Sequence, residues 1–484
     1  MKKFIDGVLY AMVFGIASVL VSTAAFATNG MNLEGYGPIA TGMGGASMAY
    51  DNGTAAVMNN PATLSLMPEG NRLDVALGFL GPNVKASNDT ESASSSANAF
   101  YMPAIGWAHK SGKATYGVGV FAQGGMGTEF GADSYLAHGS GEKVRTEVSV
   151  GRLSIPISYE VDEKLILAAA VDYVWAGMDV KMALSGGQFF DLMTTRTYGN
   201  ASGSMVNTLG GAFQPNGNCG ATPCLDAGQF MNSGWARFDF SDGSPFTGKA
   251  KSQGYGAKVG FVYKATSALT LGATYHSQTE LSDMVANGAQ LSMKVNGVAT
   301  TNQDVVIPVS GKIRVKEFQW PQTIGAGMAY QASDKLLVVF DYKWINWEAV
   351  MKGLKMTFTA DDDQGDPTAT AFGLGGQQVD ATIYQNWKNQ NVFMIGAAYK
   401  TTPDLTLRAG LNIANNPIPD TYLLALFPAI EKNHVTVGAG YMLSKASSVD
   451  ASFTYALEVK QTNEQGETVT HSQNNAQVMY SYRF

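Results

Sequence analysis

Charged side chains are scarce in this sequence. They make up 15% of 484 residues, against roughly 25% in ordinary soluble proteins. The 32 basic and 39 acidic groups leave a net charge of -7, which excludes a nucleic-acid binder, and so few charges do not describe a disordered chain. After the first 30 residues no uncharged apolar run reaches the length of a membrane-spanning helix, so a helical membrane bundle is excluded. There are two cysteines and five histidines, and no recognisable Ser/His/acid motif among them. Present instead are 55 glycines, 23 phenylalanines, 21 tyrosines and 45% hydrophobic residues. This is the composition of one large β protein rather than the several domains that length alone suggests.

The first 27 residues read as an export signal. Lys2 and Lys3 give a positive start, Val8 to Val21 an apolar core, and Ala25-Phe26-Ala27 a small-residue cleavage site, the pattern a signal peptidase requires. The alternative is an uncleaved anchor. In an exported chain, Cys219 and Cys224, five apart in a Gly/Pro-rich stretch, read as one local disulfide, with two reduced thiols as the other reading. With no His between Met182 and Thr274, zinc is not implied there.

From about residue 72 the chain alternates apolar and polar positions. Ala476, Val478, Tyr480, Tyr482 and Phe484 alternate with Gln477, Met479, Ser481 and Arg483. We place strands near 73-80, 99-110, 114-123, 146-161, 164-183, 252-265, 269-281, 312-332, 335-351, 388-401, 405-416, 430-444, 448-459 and 474-484. Short connections alternate with long ones, the longest being 184-251, 282-311 and 352-387. Short turns opposite long loops, with an even strand number, predict a 14-stranded antiparallel transmembrane β-barrel over 72-484. Aromatic strand ends at Tyr173, Trp175, Trp344 and Trp347 suit an interfacial girdle. A soluble β-sandwich pair explains neither feature.

Parity turns Leu165, Leu167, Val171 and Trp175 outward, and Ile166, Ala170, Asp172 and Val174 inward. The lumen is thus partly apolar with scattered ions, unlike a water-filled porin. Arg152, Lys343 and Arg408 point inward and are candidates for holding a substrate carboxylate, or for pairing with Asp172 and Asp341. Residues 28-71 lack alternation and are rich in glycine and small residues; we expect them to pack inside the lumen as a plug. Gly42-Met43-Gly44-Gly45 has neither the preceding strand nor the Lys-Ser/Thr ending of a phosphate cradle.

Several stretches resemble one family. Glu34-Gly35-Tyr36-Gly37, Gly42 to Ala46, Asn60-Pro61-Ala62, Gly119 to Phe130, Asp341 to Trp347, Asn416 to Asp420 and the aromatic C-terminus are similar in kind and order to the FadL/TodX family of outer-membrane transporters. The resemblance implies a barrel of fourteen strands plugged by an N-terminal hatch. It also implies passive diffusion of long-chain fatty acids or hydrocarbons through an apolar interior and out by a gap in the wall. No cofactor is implied. The surroundings it implies are outer-membrane lipid, lipopolysaccharide and the barrel assembly machinery, for a monomer without nucleic-acid partners. General porin, adhesin or phage receptor, and lipid-modifying enzyme (through His276) are the alternatives. Asp361 to Asp366 forms an acidic loop without complete EF-hand spacing.

Two sites follow. Phe189, Phe190, Leu192, Met193 and Trp235 on one long loop, with Leu423, Leu424 and Phe427 on another, are expected to form an apolar capture surface or to pack into a lid. Gly117, Gly119, Gly124, Gly125 and Gly127 on the third strand are expected to weaken the wall. Family resemblance puts the gap on this strand as well, with Asn60-Pro61-Ala62 beside it as a prop.

Overall fold

A computed structural model describes residues 29-214, 224-244, 248-295 and 304-484. The export signal and Cys219 lie outside these residues. Twenty strands of four or more residues are present among them. They are β1 (Gly70–Ser87), β2 (Phe100–Ser111), β3 (Ala114–Phe130), β4 (Val144–Glu160), β5 (Leu165–Ser185), β6 (Gly199–Ser202), β7 (Trp235–Phe240), β8 (Ala250–Lys264), β9 (Leu269–His276) and β10 (Met284–Val295). The second half supplies β11 (Val305–Lys316), β12 (Thr323–Ser333), β13 (Leu336–Ile345), β14 (Gly353–Ala360), β15 (Gln378–Tyr384), β16 (Gln390–Lys400), β17 (Leu405–Ala414), β18 (Asn433–Met442), β19 (Ser447–Thr462) and β20 (Thr468–Arg483).

The sheet closes when β1 pairs with β20, from Arg72↔Arg483 to Ser87↔Thr468. Closure leaves no unpaired edge to meet lipid. The closed barrel has sixteen strands, which corrects the expected fourteen. The two additional strands are β7 and β10, which lie inside 184-251 and 282-311, stretches read as loops. They enter the ring between β5 and β8, through β5–β7, β7–β10 and a single β10–β8 pairing, Val285↔Lys251. Nearer the short turns β5 also pairs directly with β8, from Leu165↔Tyr263 to Met178↔Ala250. From β10 a ribbon continues through β11, β14, β15 and β6.

Two further boundaries differ from expectation. The stretch 312-332 is two strands, separated where Glu317 adopts a left-handed φ of 58°. The strand read over 335-351 ends at Ile345, and Trp347–Val350 forms a short helix. Trp347 is therefore no girdle residue. It is fully buried and stacks edge-on with Trp320 at 5.6 Å and Trp387 at 5.3 Å. No helix among the described residues is long and apolar enough to cross a membrane.

Side-chain parity holds along the wall. On β5, Val171 is 62% exposed and Val174 fully buried; on β16, Phe393 and Ile395 are exposed while Val392 and Met394 are buried. The outward band of Val, Ile, Leu, Tyr and Phe is the surface a bilayer requires.

Residues 29-67 are almost wholly buried, and their hydrogen bonds reach strands all around the ring. Thr41 Oγ1 meets Ser452 Oγ of β19 at 2.6 Å, and Asn412 of β17 donates to the Gly44 carbonyl at 3.0 Å. Asp341 of β13 accepts from the backbone of Ser47 and Met48, and Asp74 of β1 from that of Thr54. The segment folds as short turns because it is built for them. Gly45 takes a φ of 87°, and a Cβ there would fall 2.1 Å from the Glu34 carbonyl oxygen, so only glycine fits. Pro61 opens a 3-10 helix, Pro61–Leu66, whose N-cap Asn60 accepts from the Ala62 N–H, as caps do.

Candidate functional site

The ladder between β2 and β3 runs from Ser111↔Ala114 to Ile105↔Val120 and stops. Beyond it, Phe100 to Ala104 remain paired with β1, while β3 from Phe121 onward turns to another partner. Gly124 makes an antiparallel bridge to Asn32, and the Gly125 N–H donates to the Met31 carbonyl at 3.1 Å. On its other side β3 shifts register against β4 between Ala122 and Gly124, which marks a bulge and bends the strand. A Cβ at Gly124 would lie 2.1 Å from the Met31 carbonyl oxygen, and one at Gly125 2.2 Å from that of Val148. Side chains at these two positions are excluded. Pro103, in the stretch of β2 left open, has no N–H to expose.

The wall is open at this point. A cavity of about 380 Å³ begins at Met31 and Leu33 inside and is lined through the opening by Phe100, Phe121, Val148 and Val150. It reaches Tyr101 and Trp175, which belong to the outward, lipid-facing set. Inside the barrel, Trp320 Nε1 donates to Asn32 Oδ1 at 2.8 Å. The tryptophan stack thereby fixes the same N-terminal residues that hold β3.

The structure places the predicted residues as follows. Gly124 and Gly125 form the opening; Gly117 and Gly119 lie in or beside the intact ladder, where Cβ atoms would meet the Trp107 carbonyl and the Phe121 ring. Asn60, Pro61 and Ala62 are not beside the opening, which corrects that expectation. Asn60 Nδ2 donates to the Phe261 carbonyl of β8 at 3.0 Å, and Ala62 packs with Ile166 and Val262. The segment meets β3 only near the short turn, where Ser65 reaches Thr115. A proline-containing turn was legible in sequence; the strand it faces was not, because Met31 and Asn32 carry no signal of backbone pairing.

Of the inward cations, Arg152 pairs with Asp172 at 2.6 Å, and Lys258 completes a buried triad at 2.8 Å. Arg408 pairs with Asp450 at 2.8 Å. Lys343 is half-buried on β13, two residues from Asp341. Breaking one partner of such buried pairs strands a charge, so Arg152 and Arg408 are committed to the wall. His276 Nε2 lies 2.9 Å from the Asn59 carbonyl, a structural contact. Asp366 caps the helix Pro367–Ala371 by accepting from Thr368 and Ala369.

The loop residues form a cap more than an exposed patch. Phe189, Leu192, Trp235, Leu423 and Phe427 are buried; Phe190, Met193 and Leu424 are half-buried. Phe190 packs on Phe213 at 5.1 Å, and Phe213 on Phe230 at 5.0 Å. Leu192, Leu423 and Leu424 meet around a cavity of about 70 Å³, bringing the two loops together. Cys224 is disulfide-bonded and buried. Residues that sequence reading passed over are Met31, Asn32, Glu147, Glu431 and His471 at the opening. None was legible: His471 precedes the strand expected over 474-484, and β20 begins earlier, at Thr468.

A closed barrel with an apolar outer band, a filled lumen and a lined opening through its side defines an outer-membrane β-barrel protein. Residues 14-483 match the family described as outer membrane protein transport protein (OMPP1/FadL/TodX), and the chain belongs to it. Its place is the outer membrane. Among solved structures it is similar to the P. putida toluene transporter TodX, with 29% identity and a TM-score of 0.77 over 94% of this chain and 99% of that one. The Ralstonia pickettii toluene transporter TbuX gives 28% and 0.71, over 94% and 99%. Outer membrane protein P1 of Haemophilus influenzae is 23% identical over 344 residues, 71% of this chain and 62% of that protein. An uncharacterized Chlorobium limicola protein is 46% identical over 88 residues, 18% of this chain and 43% of its own length. The chain thus spans less than two thirds of these two curated relatives.

Proposed function

We propose that this protein lets hydrophobic compounds, long-chain fatty acids or hydrocarbons, cross the outer membrane passively, entering under the extracellular cap and leaving sideways into the bilayer. One observation carries this reading: the cavity of about 380 Å³ runs from buried Met31 and Leu33 to lipid-facing Trp175. An apolar solute exposed to periplasmic water loses roughly 0.8 kcal/mol per CH₂, and a side exit avoids that cost. Residues 28-71 act as the hatch, with Met31 and Asn32 propping β3 aside. Residues 1-27 are the export signal, the protein works as a monomer in a lipopolysaccharide-bearing membrane, and it catalyses no reaction. Two of the similar solved structures, TodX and TbuX, are toluene transporters, which supports an uncharged aromatic cargo.

The test is uptake of labelled toluene, oleate and a small sugar by cells that lack other channels of this kind. Uptake of toluene or oleate, with the sugar excluded, is the expected result. Sugar entry without either apolar solute removes the proposal.

A further inference from the structure

The cavity at the opening is apolar along most of its length, yet three ionisable side chains reach it from three elements. They are Glu147 on β4, His471 on β20 and Glu431 in the segment before β18. No lysine or arginine is among the described residues that line it. The neighbouring cations are already matched: Arg145 pairs with Glu129 at 3.1 Å and with Glu147, and Arg152 is held by Asp172 and Gln123. His471 is the cavity's potential anion partner. Its Nδ1 lies 2.9 Å from the Pro428 carbonyl, an acceptor, so that nitrogen carries a proton. Its Nε2 faces Glu431 Oε1 at 2.7 Å, and the two side chains are 6% and 2% exposed.

We infer that Glu431 sets specificity as a resident carboxylate, holding the place beside His471 that a substrate carboxylate needs, so that the opening admits neutral apolar molecules and their hydroxylated forms and turns away the corresponding acids. The inference rests on the proposed function, since it takes the opening as the substrate's path, and it narrows the cargo of that path to hydrocarbons in preference to fatty acids. An entering carboxylate must displace Glu431 or sit unpaired beside it, since the other carboxylate, Glu147, already takes Arg145. An unpaired charge in a poorly solvated space is costly. A hydroxyl asks only for an acceptor, which a carboxylate offers. The sequence had suggested Arg152, Lys343 and Arg408 as carboxylate anchors; the two arginines are already paired within the wall, and Lys343 does not line this cavity.

The experiment is calorimetric titration of the whole protein, held in amphipol, with toluene, p-cresol and p-toluate at neutral pH. The last two share a ring and methyl group and differ in hydroxyl against carboxylate. The wild type is expected to bind p-cresol at least about tenfold more tightly than p-toluate. Glu431→Gln keeps the shape and releases His471, so p-toluate should bind about tenfold more tightly while p-cresol changes less than about threefold. Adding His471→Gln should cancel the gain. Equal wild-type affinities for p-cresol and p-toluate, or an unchanged ratio in Glu431→Gln, overturn the inference; the wild-type ratio decides even if a variant does not fold. Toluene separates the two levels. If toluene does not bind, the path itself is wrong; if it binds and the other two ligands are equal, only the role of Glu431 falls.

Discussion

Two arcs of the wall meet the N-terminal segment through glycine, and only one of them opens. On β16 and β17, Gly396 and Gly410 let Met43 and Gly44 approach so closely that Cβ atoms would fall 2.4 Å and 2.2 Å from them. The ladder between these strands nevertheless runs unbroken from Val392↔Ala414 to Lys400↔Thr406. On β3, Gly124 permits an equally close approach, a Cβ there falling 2.1 Å from the Met31 carbonyl oxygen, and the ladder to β2 ends at Val120. Glycine is therefore necessary for contact but does not open a barrel. The difference lies in hydrogen bonding. Gly44 takes side-chain partners, donating to Thr436 and accepting from Asn412, and Met43 bonds within its own segment, whereas Met31 and Asn32 bond to the backbone of β3 itself. A strand whose N–H and C=O groups are satisfied from inside leaves its neighbour without the unpaired-group penalty that otherwise seals a wall in lipid.

The strongest way to break this contrast is to restore the missing ladder. Continuing its register sets Ala104 opposite Phe121, so a disulfide in Ala104→Cys/Phe121→Cys should abolish uptake of apolar substrate, and a reductant should bring it back. Full uptake by the oxidised protein, with the cross-link verified by mass spectrometry, removes the side exit. Next in size is a pair of matched substitutions. Gly124→Leu drives a side chain into the Met31 carbonyl and should lower uptake about tenfold. Gly396→Leu costs a similar ~1-3 kcal/mol of overpacking but should leave uptake within about twofold. Equal losses in the two variants erase the distinction between the arcs.

A smaller effect is expected at Asp341, whose carboxylate receives the N–H groups of Ser47 and Met48. Asp341→Ala leaves two buried donors unpaired, at about 1-3 kcal/mol each, and should loosen the N-terminal segment to protease while the barrel stays folded; an unchanged cleavage rate shows that water or a neighbour takes over. In the cap, Leu424→Ser/Phe427→Ser should reduce uptake two- to threefold at low substrate concentration and leave it unchanged at saturation.

The smallest effect concerns pH. Burial raises the carboxyl of Glu467, which accepts from the Tyr135 hydroxyl at 2.9 Å. A carboxyl raised in the folded state takes up its proton more readily there than in the unfolded chain. This turn should gain protection as pH falls through that raised value and lose it as pH rises. Hydrogen exchange of residues 463-467 at pH 5 and pH 7 reads the sign, and faster exchange at the lower pH after correction for intrinsic rates contradicts it.

Period-two alternation determined the β wall, its outward face and its short turns, because a strand with lipid on one side must repeat every two residues. The glycine- and proline-rich start was likewise legible as a segment unable to join that wall. The strand number was not: β7 is buried at almost every position and shows no alternation. β10 does alternate, with Ala289, Leu291, Met293 and Val295 buried, but alternation alone does not tell a wall strand from a hairpin within a long loop. Parity left the inward cations open between a substrate carboxylate and a partner in the wall; Arg152 does take Asp172, one of the partners considered, but Arg408 takes Asp450, because pairing depends on which strand lies next door. Trp347 followed the aromatic pattern of a girdle but turned into the interior once Ile345 ended its strand. The opening itself was decided only by tertiary structure: Gly124 allows the close approach, Gly125 supplies the N–H that Met31 accepts, and it took the folded N-terminal segment to deliver the backbone of Met31 and Asn32 as the partner.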